Sequence, residues 1–383
     1  MRYSSSSTFS VAPTHGYTYI RSACFLVLLL LLGFHAQAQD PFANYISQDS
    51  IDAYALRTPK NLTHSIETLT HHLVFPYERE QDKVRSIYAW IVGNLNYDHN
   101  LARKEKRPRI KPHLILRYRR AVCIGYADLF NAMCAQAGIK STWVSGYTRE
   151  YNFKSKKPFS WSEHAWNAVN IEGEWFLLDP TWENKSIRKT KVVHQGKTVE
   201  RVKISVGDQY FLTNPEDFVL DHLPDNPVWQ LLPCPLSLSD FQMGLPNVEA
   251  LLLRPDTCYN YNDTLAAQEK LNPAYRELLS GYTAYSYNPK NHVTLGLSLM
   301  NYGSHLSLLN SKNKDLDWLG RLEQEQLVLS YYQQSLPHLR KSKRKHFLKA
   351  CKKNIKSCKK RLHSYKQKAK KQRQIMEKQR QKV

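Results

Sequence analysis

The stretch HAWNAVNIEGEWFLLDPTW, residues 164–182, constrains the fold more than any other part of the chain. Its side chains alternate from His164 to Ile171 in the way that is typical of a strand. A Glu-Gly pair then supplies a tight turn, and residues 174–179 return as a second strand. The stretch therefore predicts a β-hairpin.

The register of this hairpin places a histidine close to an aspartate. If Ile171 lies opposite Glu174, then His164 and Asp179 lie on one face as diagonal neighbours. Diagonal residues are about 7–8 Å apart at the backbone, within reach of an imidazole and a carboxylate. The carboxylate would fix the tautomer of the ring. A buried structural histidine and an aspartate that begins a turn before Pro180 fit the same spacing, so both interpretations stay open.

The segment AVCIGYADLFNAMCAQAGIKSTWVSGY, residues 121–147, predicts a helix followed by a strand over 139–147. Gly138 is the expected helix stop. Cys123 falls at the helix start, where free amide N–H groups and the peptide dipoles lower the pKa of a thiol. Cys134 lies about 16 Å further along the axis at 1.5 Å per residue, too far for a disulfide with Cys123, and is predicted to be core.

Together these residues match the parts of an activated thiol. Cys123 would supply the nucleophile, His164 would take its proton and Asp179 would orient the histidine. The amide of Cys123 is a natural first oxyanion donor. Tyr97 is a candidate second donor or groove wall, and Trp182 would line the groove or cover the hairpin. Taken alone, Cys123 is equally well explained as a small buried side chain.

The same residues resemble the transglutaminase-like superfamily, close to its bacterial and kyphoscoliosis-peptidase-like branch. The motifs are VCIGYADLFNAMCAQAGI, VSGY, HAWNAV and WFLLDPTW, and the resemblance covers roughly residues 80 to 235. It implies a papain-like α+β fold, in which a nucleophile helix packs on an antiparallel sheet that carries the histidine and the aspartate. Carried over by position, Cys123 is the nucleophile, His164 the general base and acid, and Asp179 the orienting carboxylate.

The resemblance also implies acyl transfer through a thioester on the cysteine, and the acceptor then decides the reaction. Water gives a peptidase or amidase, which we favour for an exported chain. An amine gives a protein-glutamine cross-linking transferase. A non-catalytic binding module on the same fold is a third hypothesis, because a fold does not fix a function; the intact cysteine, histidine and aspartate weigh against it.

Helical patterns outside the hairpin complete the predicted organisation. Residues 81–98 have the apolar spacing of an amphipathic helix. After residue 246 the chain turns helical, and Asn272-Pro273 and Asn288-Pro289 are expected at helix starts. We expect a signal peptide over 1–38, a transglutaminase-like domain over 39–245, a small all-α domain over 246–337 and a basic helical tail over 338–383.

An apolar run near the N-terminus predicts export. Residues 23–34, ACFLVLLLLLGF, are followed by Ala36-Gln37-Ala38, a small-x-small pattern typical of signal-peptidase sites. A membrane-spanning helix needs about 20 apolar residues, so a retained anchor is the weaker alternative. We expect cleavage near Ala38 and a periplasmic or extracellular chain without a transmembrane span.

The six cysteines that follow this segment are too few for a disulfide scaffold. Export permits disulfides, and Cys234 and Cys258 lie in Pro-flanked, loop-like sequence where a bridge is easiest. The sequence has no CxxC pattern and no paired Cys/His spacing of a zinc site. We therefore expect no metal and no cofactor.

The net charge of +22 is concentrated in the tail. Residues 340–383 contain twenty Lys and Arg and the single acid Glu377. Expected partners are an anionic membrane surface, an acidic glycan or an acidic protein, with nucleic acid unlikely. The tail also has a heptad-like apolar seam, for which an acidic helix within 315–335, another protein or solvent are the alternatives. The seam residues are Leu348, Cys351, Ile355, Cys358, Leu362, Tyr365, Ala369, Gln372 and Met376.

Overall fold

The computed structural model describes residues 47–104, 108–149, 159–184, 190–194, 197–201, 206–254, 258 and 260–381. The residues from Gln48 onward form one compact unit. The predicted signal peptide, residues 1–38, lies outside the described residues. Among the helices of the described part, none is long and apolar enough to span a bilayer.

The described chain is a mixture of helices and strands, which confirms the predicted α+β class. The first half contains α1 (Gln48–Leu56), α2 (Ile66–Val74), α3 (Glu80–Asn94), β1 (Asn96–Tyr97), α4 (His99–Ala102), α5 (Pro112–Tyr118), β2 (Arg120–Ala121), α6 (Cys123–Gln136), β3 (Ser141–Thr148), β4 (His164–Ile171), β5 (Glu174–Leu178) and α7 (Pro180–Glu183). The second half contains β6 (Thr190–His194), β7 (Lys197–Arg201), α8 (Pro215–Phe218), β8 (His222–Pro224), α9 (Leu238–Gln242), α10 (Leu245–Leu252), α11 (Tyr261–Glu269), α12 (Pro273–Tyr287), α13 (His292–Lys312), α14 (Trp318–Lys341) and α15 (Lys345–Arg380).

Four strands form an antiparallel sheet in the order β5-β4-β3-β8. The predicted hairpin is confirmed, and Ile171 lies opposite Glu174 as the register requires. β8 is far from the hairpin in sequence, yet it pairs with the outer edge of β3. The sheet therefore gathers three chain segments around the strand that begins with His164.

Helix α6 packs on this sheet and forms the centre of the core with α3. Trp90 of α3 and Phe130 of α6 are fully buried there, and Cys134 is core as predicted. Gly138 has a φ of +73°, so the predicted helix stop is confirmed. The helix predicted over 81–98 ends earlier, at Asn94, because the chain becomes extended and β1 pairs in parallel with β2.

A buried asparagine connects the hairpin to helix α6 by hydrogen bonds. The side-chain amide of Asn167, in β4, donates to the carbonyl of Ala127 at 3.1 Å and to the side chain of Asn131 at 2.9 Å. Asn167 is fully buried, so losing these bonds would leave an unsatisfied polar group. The contact therefore fixes β4 at one height along α6.

The helical second half follows the predicted pattern with two corrections. Asn272 caps α12, which begins at Pro273 as expected. The second start is misplaced: Asn288 ends α12, and α13 begins at His292 with its first turn capped by the Asn291 side chain. Proline cannot extend a helix from within, so Asn288-Pro289 terminates one instead.

The boundary expected at Pro337 also falls elsewhere, since α14 runs through this proline to Lys341. The break comes two residues later, where Lys343 adopts a φ of +59° before α15 begins. A proline in the last two turns removes one backbone hydrogen bond but leaves the helix continuous here.

The tail helix folds back on α14, which is one of the arrangements considered from the sequence. Glu325 of α14 is buried and pairs with Arg361 of α15 at 2.7 Å. Trp318 donates its backbone N–H to Gln372 at 3.0 Å near the other end. The seam is covered from Leu348 to Gln372, whereas Met376 is exposed. Most lysines of α15 are exposed, because the covered positions recur every three or four residues, whereas Arg361 faces α14.

Cys234 and Cys258 form a disulfide, which confirms the pairing considered from the sequence. The bridge ties the segment that follows β8 to the start of the helical half. The four other cysteines in the described part of the chain are free and buried, including Cys123 and Cys134.

Gly146 allows β8 to lie close to the sheet. It faces His164 on one side and Pro224 on the other. A Cβ at this position would overlap the carbonyl oxygen of Leu223 and approach the Trp166 ring to 2.5 Å. Only glycine leaves room for both neighbours.

Replacing Gly146 by alanine should lower the free energy of unfolding by about 1–3 kcal/mol, because the backbone of β8 must move outward. Urea denaturation of Gly146→Ala and wild type measures this difference. Gly320→Ala is the matched control: its Cβ would meet the flexible end of Leu316, and alanine favours a helix. Equal stability of Gly146→Ala and wild type would contradict the close approach.

Candidate active site

Cys123 is the first residue of α6. Val122, which precedes the helix, has an extended backbone. The Cys123 side chain faces a cleft and is 8% exposed. His164 begins β4 and is also 8% exposed, whereas Asp179 is fully buried at the end of the hairpin. The three predicted residues therefore meet at one place, with Cys123 and His164 at the cleft and Asp179 in the core.

The three side chains interact in series. His164 Nε2 lies 2.5 Å from Asp179 Oδ2. Interactions with the His164 side chain and the backbone of Ala165 lower the pKa of the Cys123 thiol. Since Nε2 is held by the carboxylate, Nδ1 is the ring nitrogen that faces the thiol. The other carboxylate oxygen, Oδ1, accepts the N–H groups of Thr181 at 2.7 Å and Trp182 at 3.2 Å, which begin α7.

The charges in this chain stabilise one another. Burial opposes ionisation of the Cys123 thiol, but its hydrogen bond to His164 and the charge of that ring lower its pKa below the ordinary value. Burial likewise opposes protonation of His164, but Asp179 and the thiol raise its pKa well above that of a free imidazole. The pKa of Asp179 lies well below its usual range, because two histidines outweigh the effect of burial. The geometry therefore favours a thiolate–imidazolium pair.

The second of these histidines, His222, is a site residue that the sequence reasoning missed. It belongs to β8, is fully buried, and places Nε2 3.2 Å from Asp179 Oδ2. Its Nδ1 is hydrogen-bonded to Asp221, which also accepts the hydroxyl of Tyr210 at 2.8 Å. The available signal was the adjacent Asp-His pair before Leu223-Pro224, but nothing local indicates that this strand joins the sheet.

Trp182 packs on the buried side of the two histidines. Its ring lies 4.5 Å from the His222 ring and 5.8 Å from the His164 ring, measured between centroids. Tyr97 lies in β1 opposite Ala121, two residues before Cys123, and contacts the core. Neither aromatic is among the residues that line the cleft in front of the thiol.

Three of these groups have the chemistry of metal ligands. Atoms of His164, Asp179 and His222 all lie within 4.8 Å of one another. The same atoms already satisfy each other by hydrogen bonds, with both Nε2 atoms directed at one carboxylate oxygen. A metal between them would have to displace both bonds, so this donor set fits the hydrogen-bonded chain better than an ion.

The thiol opens into a large cleft of about 1240 Å³. The sheet and α6 form one wall, while α12, α13 and the start of α15 form the other. Four tryptophans and charged side chains of both signs line it; the tryptophans are Trp143, Trp161, Trp175 and Trp229. The helical half thus supplies one wall of the site.

A buried polar seam holds this second wall in place. Asp225, which directly follows β8, accepts the hydroxyls of Ser145 and Ser162 at 2.6 Å each, and that of Thr294 in α13 at 3.4 Å. Burial raises the pKa of the Asp225 carboxyl, and the hydroxyls oppose this by donating to it. Arg344, at the start of α15, lies over the Trp161 ring at 4.1 Å. The contacts fix the width of the cleft beside His164.

The part of the chain that builds the thiol, the histidine and the sheet matches a family model. Residues 67–180 match the model described as the transglutaminase-like superfamily. This segment of the chain is therefore transglutaminase-like. Its relatives include kyphoscoliosis peptidase of Mus musculus, 35% identical over 47% of this chain and 26% of that protein. Kyphoscoliosis peptidase of Homo sapiens is 35% identical over 51% of this chain and 28% of its own length.

The chain thus spans only about a quarter of the length of these curated relatives. Among solved structures, a candidate cysteine protease from Cytophaga hutchinsonii aligns with 37% of this chain and 44% of its own. The sequence identity is 22% and the TM-score 0.26. The transglutaminase-like assignment depends on the sequence matches and not on this structural similarity.

The lowered pKa of the Cys123 thiol can be tested directly by alkylation. Wild-type protein should react with iodoacetamide at Cys123 well below pH 8.5, because an unperturbed thiol is mostly protonated there. Cys134 is the internal control: burial raises the pKa of its thiol to about 12, so it should stay unmodified in the folded protein. Peptide mapping by mass spectrometry at a series of pH values follows both. A normal titration of Cys123 would contradict the ion pair.

Proposed function

We propose that this protein is an exported, cysteine-dependent acyl-transfer enzyme that acts as a peptidase or amidase. The observation that carries the proposal is the series of interacting side chains from Cys123 through His164 to the buried Asp179, which begins at the cleft. A cleft of about 1240 Å³, lined by four tryptophans and by charges of both signs, has room for a peptide segment. The name of the two relatives, which designates a peptidase, supports hydrolysis.

The proposed reaction begins with attack of the Cys123 thiolate on a carbonyl carbon of the substrate. The amide N–H of Cys123, at the helix start, donates to the developing oxyanion. The His164 imidazolium gives its Nδ1 proton to the leaving amine as the C–N bond breaks, and a thioester remains. His164 then takes a proton from water, whose oxygen attacks the thioester, and returns that proton to the departing sulfur.

The second step leaves an alternative open. If a substrate amine replaces water, the same thioester yields a new amide, and the enzyme is a cross-linking transferase. A non-catalytic binding module is the other candidate. Such a module has no need of a buried carboxylate bonded to a histidine at the cleft. Burying the carboxylate costs desolvation free energy, which hydrogen bonds from several residues must offset.

Asp179→Asn tests the proposed role of the carboxylate. The variant should fold and keep Cys123 at the cleft, because asparagine has the same shape as aspartate. It should lose about 10⁴-fold in kcat, as the corresponding change does in the serine-protease triad, because an amide favours the wrong tautomer of His164. Cys123→Ala should have no turnover. The assay incubates full-length protein with a peptide library, with and without an added amine, and identifies the products by mass spectrometry.

The products separate the three hypotheses. Cleaved peptides that do not depend on the amine indicate hydrolysis, and amine-modified peptides indicate transfer. Absence of both products with wild type, or wild-type activity in Asp179→Asn, would contradict the proposed enzyme and favour the binding module.

We further propose that α15 carries this enzyme to an anionic membrane surface, acidic glycan or acidic protein. Its exposed lysines recur on the face opposite the α14 contact and form a stripe about 50 Å long at 1.5 Å per residue. The helix begins beside the cleft, where Arg344, His346 and Phe347 contribute to the wall. Charge substitution on the stripe therefore tests the partner more cleanly than removal of the tail.

Binding of the full chain to anionic vesicles or heparin should fall steeply with salt, because exposed charges are screened beyond about 8 Å at physiological ionic strength. Replacing Lys352, Lys356, Lys359 and Lys370 by glutamine should weaken it, whereas replacing Lys60, Lys111, Lys270 and Lys314 should change it little. Sedimentation at increasing salt measures both. Salt-independent binding, or equal losses in the two variants, would contradict the stripe.

A further inference from the structure

We propose that His222 is a positioning residue that acts as a second cation on Asp179, keeping its carboxylate ionised and directed at His164. This inference rests on the proposed thiol chemistry and extends the Cys-His-Asp chain by two residues, His222 and Asp221. Neither of the two added residues comes from the nucleophile helix, so the extension depends wholly on the position of β8.

The hydrogen bonds of His222 decide its protonation. Nε2 points at Asp179 Oδ2, the oxygen that also bonds His164, and Nδ1 points at Asp221 Oδ1. Ionised carboxylates only accept hydrogen bonds. Both ring nitrogens must therefore carry a hydrogen, which makes His222 an imidazolium between two carboxylates.

The resulting chain alternates in sign from the cleft, through the core, to the partly exposed Asp221. It contains a thiolate at Cys123, an imidazolium at His164, a carboxylate at Asp179, an imidazolium at His222 and a carboxylate at Asp221. Each neighbouring pair attracts, and the inner members are screened less than surface charges because they are buried. Without His222, Asp179 keeps its backbone bonds but loses the cation on its second side.

Aromatic side chains hold the His222 ring in this orientation. Phe218 and Trp182 each lie 4.5 Å from it between ring centroids, and Trp166 lies at 5.1 Å edge-on. The ring therefore has little freedom to turn its nitrogens away from the two carboxylates.

The other titratable groups that face this ring continue the network. Tyr210 lies 5.4 Å away between ring centroids and donates its hydroxyl to Asp221. Its backbone N–H donates to the Glu183 carboxylate at 3.0 Å, and Glu183 also accepts the Tyr88 hydroxyl at 3.3 Å. The His164 ring lies 5.6 Å away on the cleft side. Asp221 is thus itself held in place through its second carboxylate oxygen.

The first test uses the wild-type protein and needs no substrate. Protein labelled with ¹⁵N-histidine should give imidazolium signals for both ring nitrogens of His222 near neutral pH, assigned by their loss in His222→Gln. A neutral tautomer of His222 in folded wild type would overturn the proposal. This result is independent of whether any substrate is found.

The second test measures alkylation of Cys123 against pH in His222→Phe, His222→Gln and Asp221→Asn. His222→Phe should move the alkylation profile to higher pH and lower kcat/KM about 10- to 100-fold with KM little changed, as expected for one charge-assisted hydrogen bond. His222→Gln keeps a donor for Asp179 and should recover part of the loss. Asp221→Asn should shift the profile in the same direction by less.

Phe218→Leu is the matched control, because Phe218 touches the His222 ring but makes no hydrogen bond in the chain. It should lower the melting temperature and move the alkylation profile much less than His222→Phe does, because Trp182 and Trp166 still hold the His222 ring. If Phe218→Leu shifts the profile as far as His222→Phe, packing explains the effect and the proposal fails. If His222→Phe does not fold, His222→Gln and Asp221→Asn decide.

The outcomes also separate this inference from the proposed function. If wild-type Cys123 alkylates like an ordinary thiol, the acyl-transfer mechanism itself is contradicted. If wild type reacts at low pH and the folded His222 and Asp221 variants react identically, the mechanism stands and only the positioning role is lost.

Discussion

The buried carboxylate of Asp179 is the interaction on which the rest of the site depends. It bonds two histidines through one oxygen and begins α7 through the other. A charge without water is costly unless every lone pair has a partner. The carboxylate can stay charged in the core because four hydrogen-bond donors replace the water that it would otherwise bind.

This requirement explains why distant segments must converge. His164 comes from the hairpin, His222 from β8 and the thiol from α6. Asn167 ties the hairpin to the helix, and Gly146 allows β8 to approach the sheet. The polar seam at Asp225 then places the helical half opposite the thiol, which closes the cleft on its second side.

Different segments of the chain therefore contribute different parts of the site. The proposed catalytic residues lie in the segment that matches the family model, whereas one wall of the cleft and the basic stripe come from beyond it. The far wall of the cleft and the basic stripe are therefore built by residues other than Cys123, His164 and Asp179. The helical half forms the wall opposite the tryptophans of the sheet side.

The sequence by itself determined the local features: the hairpin with Ile171 opposite Glu174, the helix start at Cys123, its stop at Gly138 and the charge of the tail. Alternation, turn chemistry and helix spacing act over a few residues and are legible without tertiary structure. Only the tertiary structure decided that His222 reaches Asp179, that Asn288-Pro289 ends a helix and that Arg344 meets Trp161. These depend on which sheet edge accepts β8 and where separate helices pack, and no local pattern encodes contacts between residues so far apart in the chain.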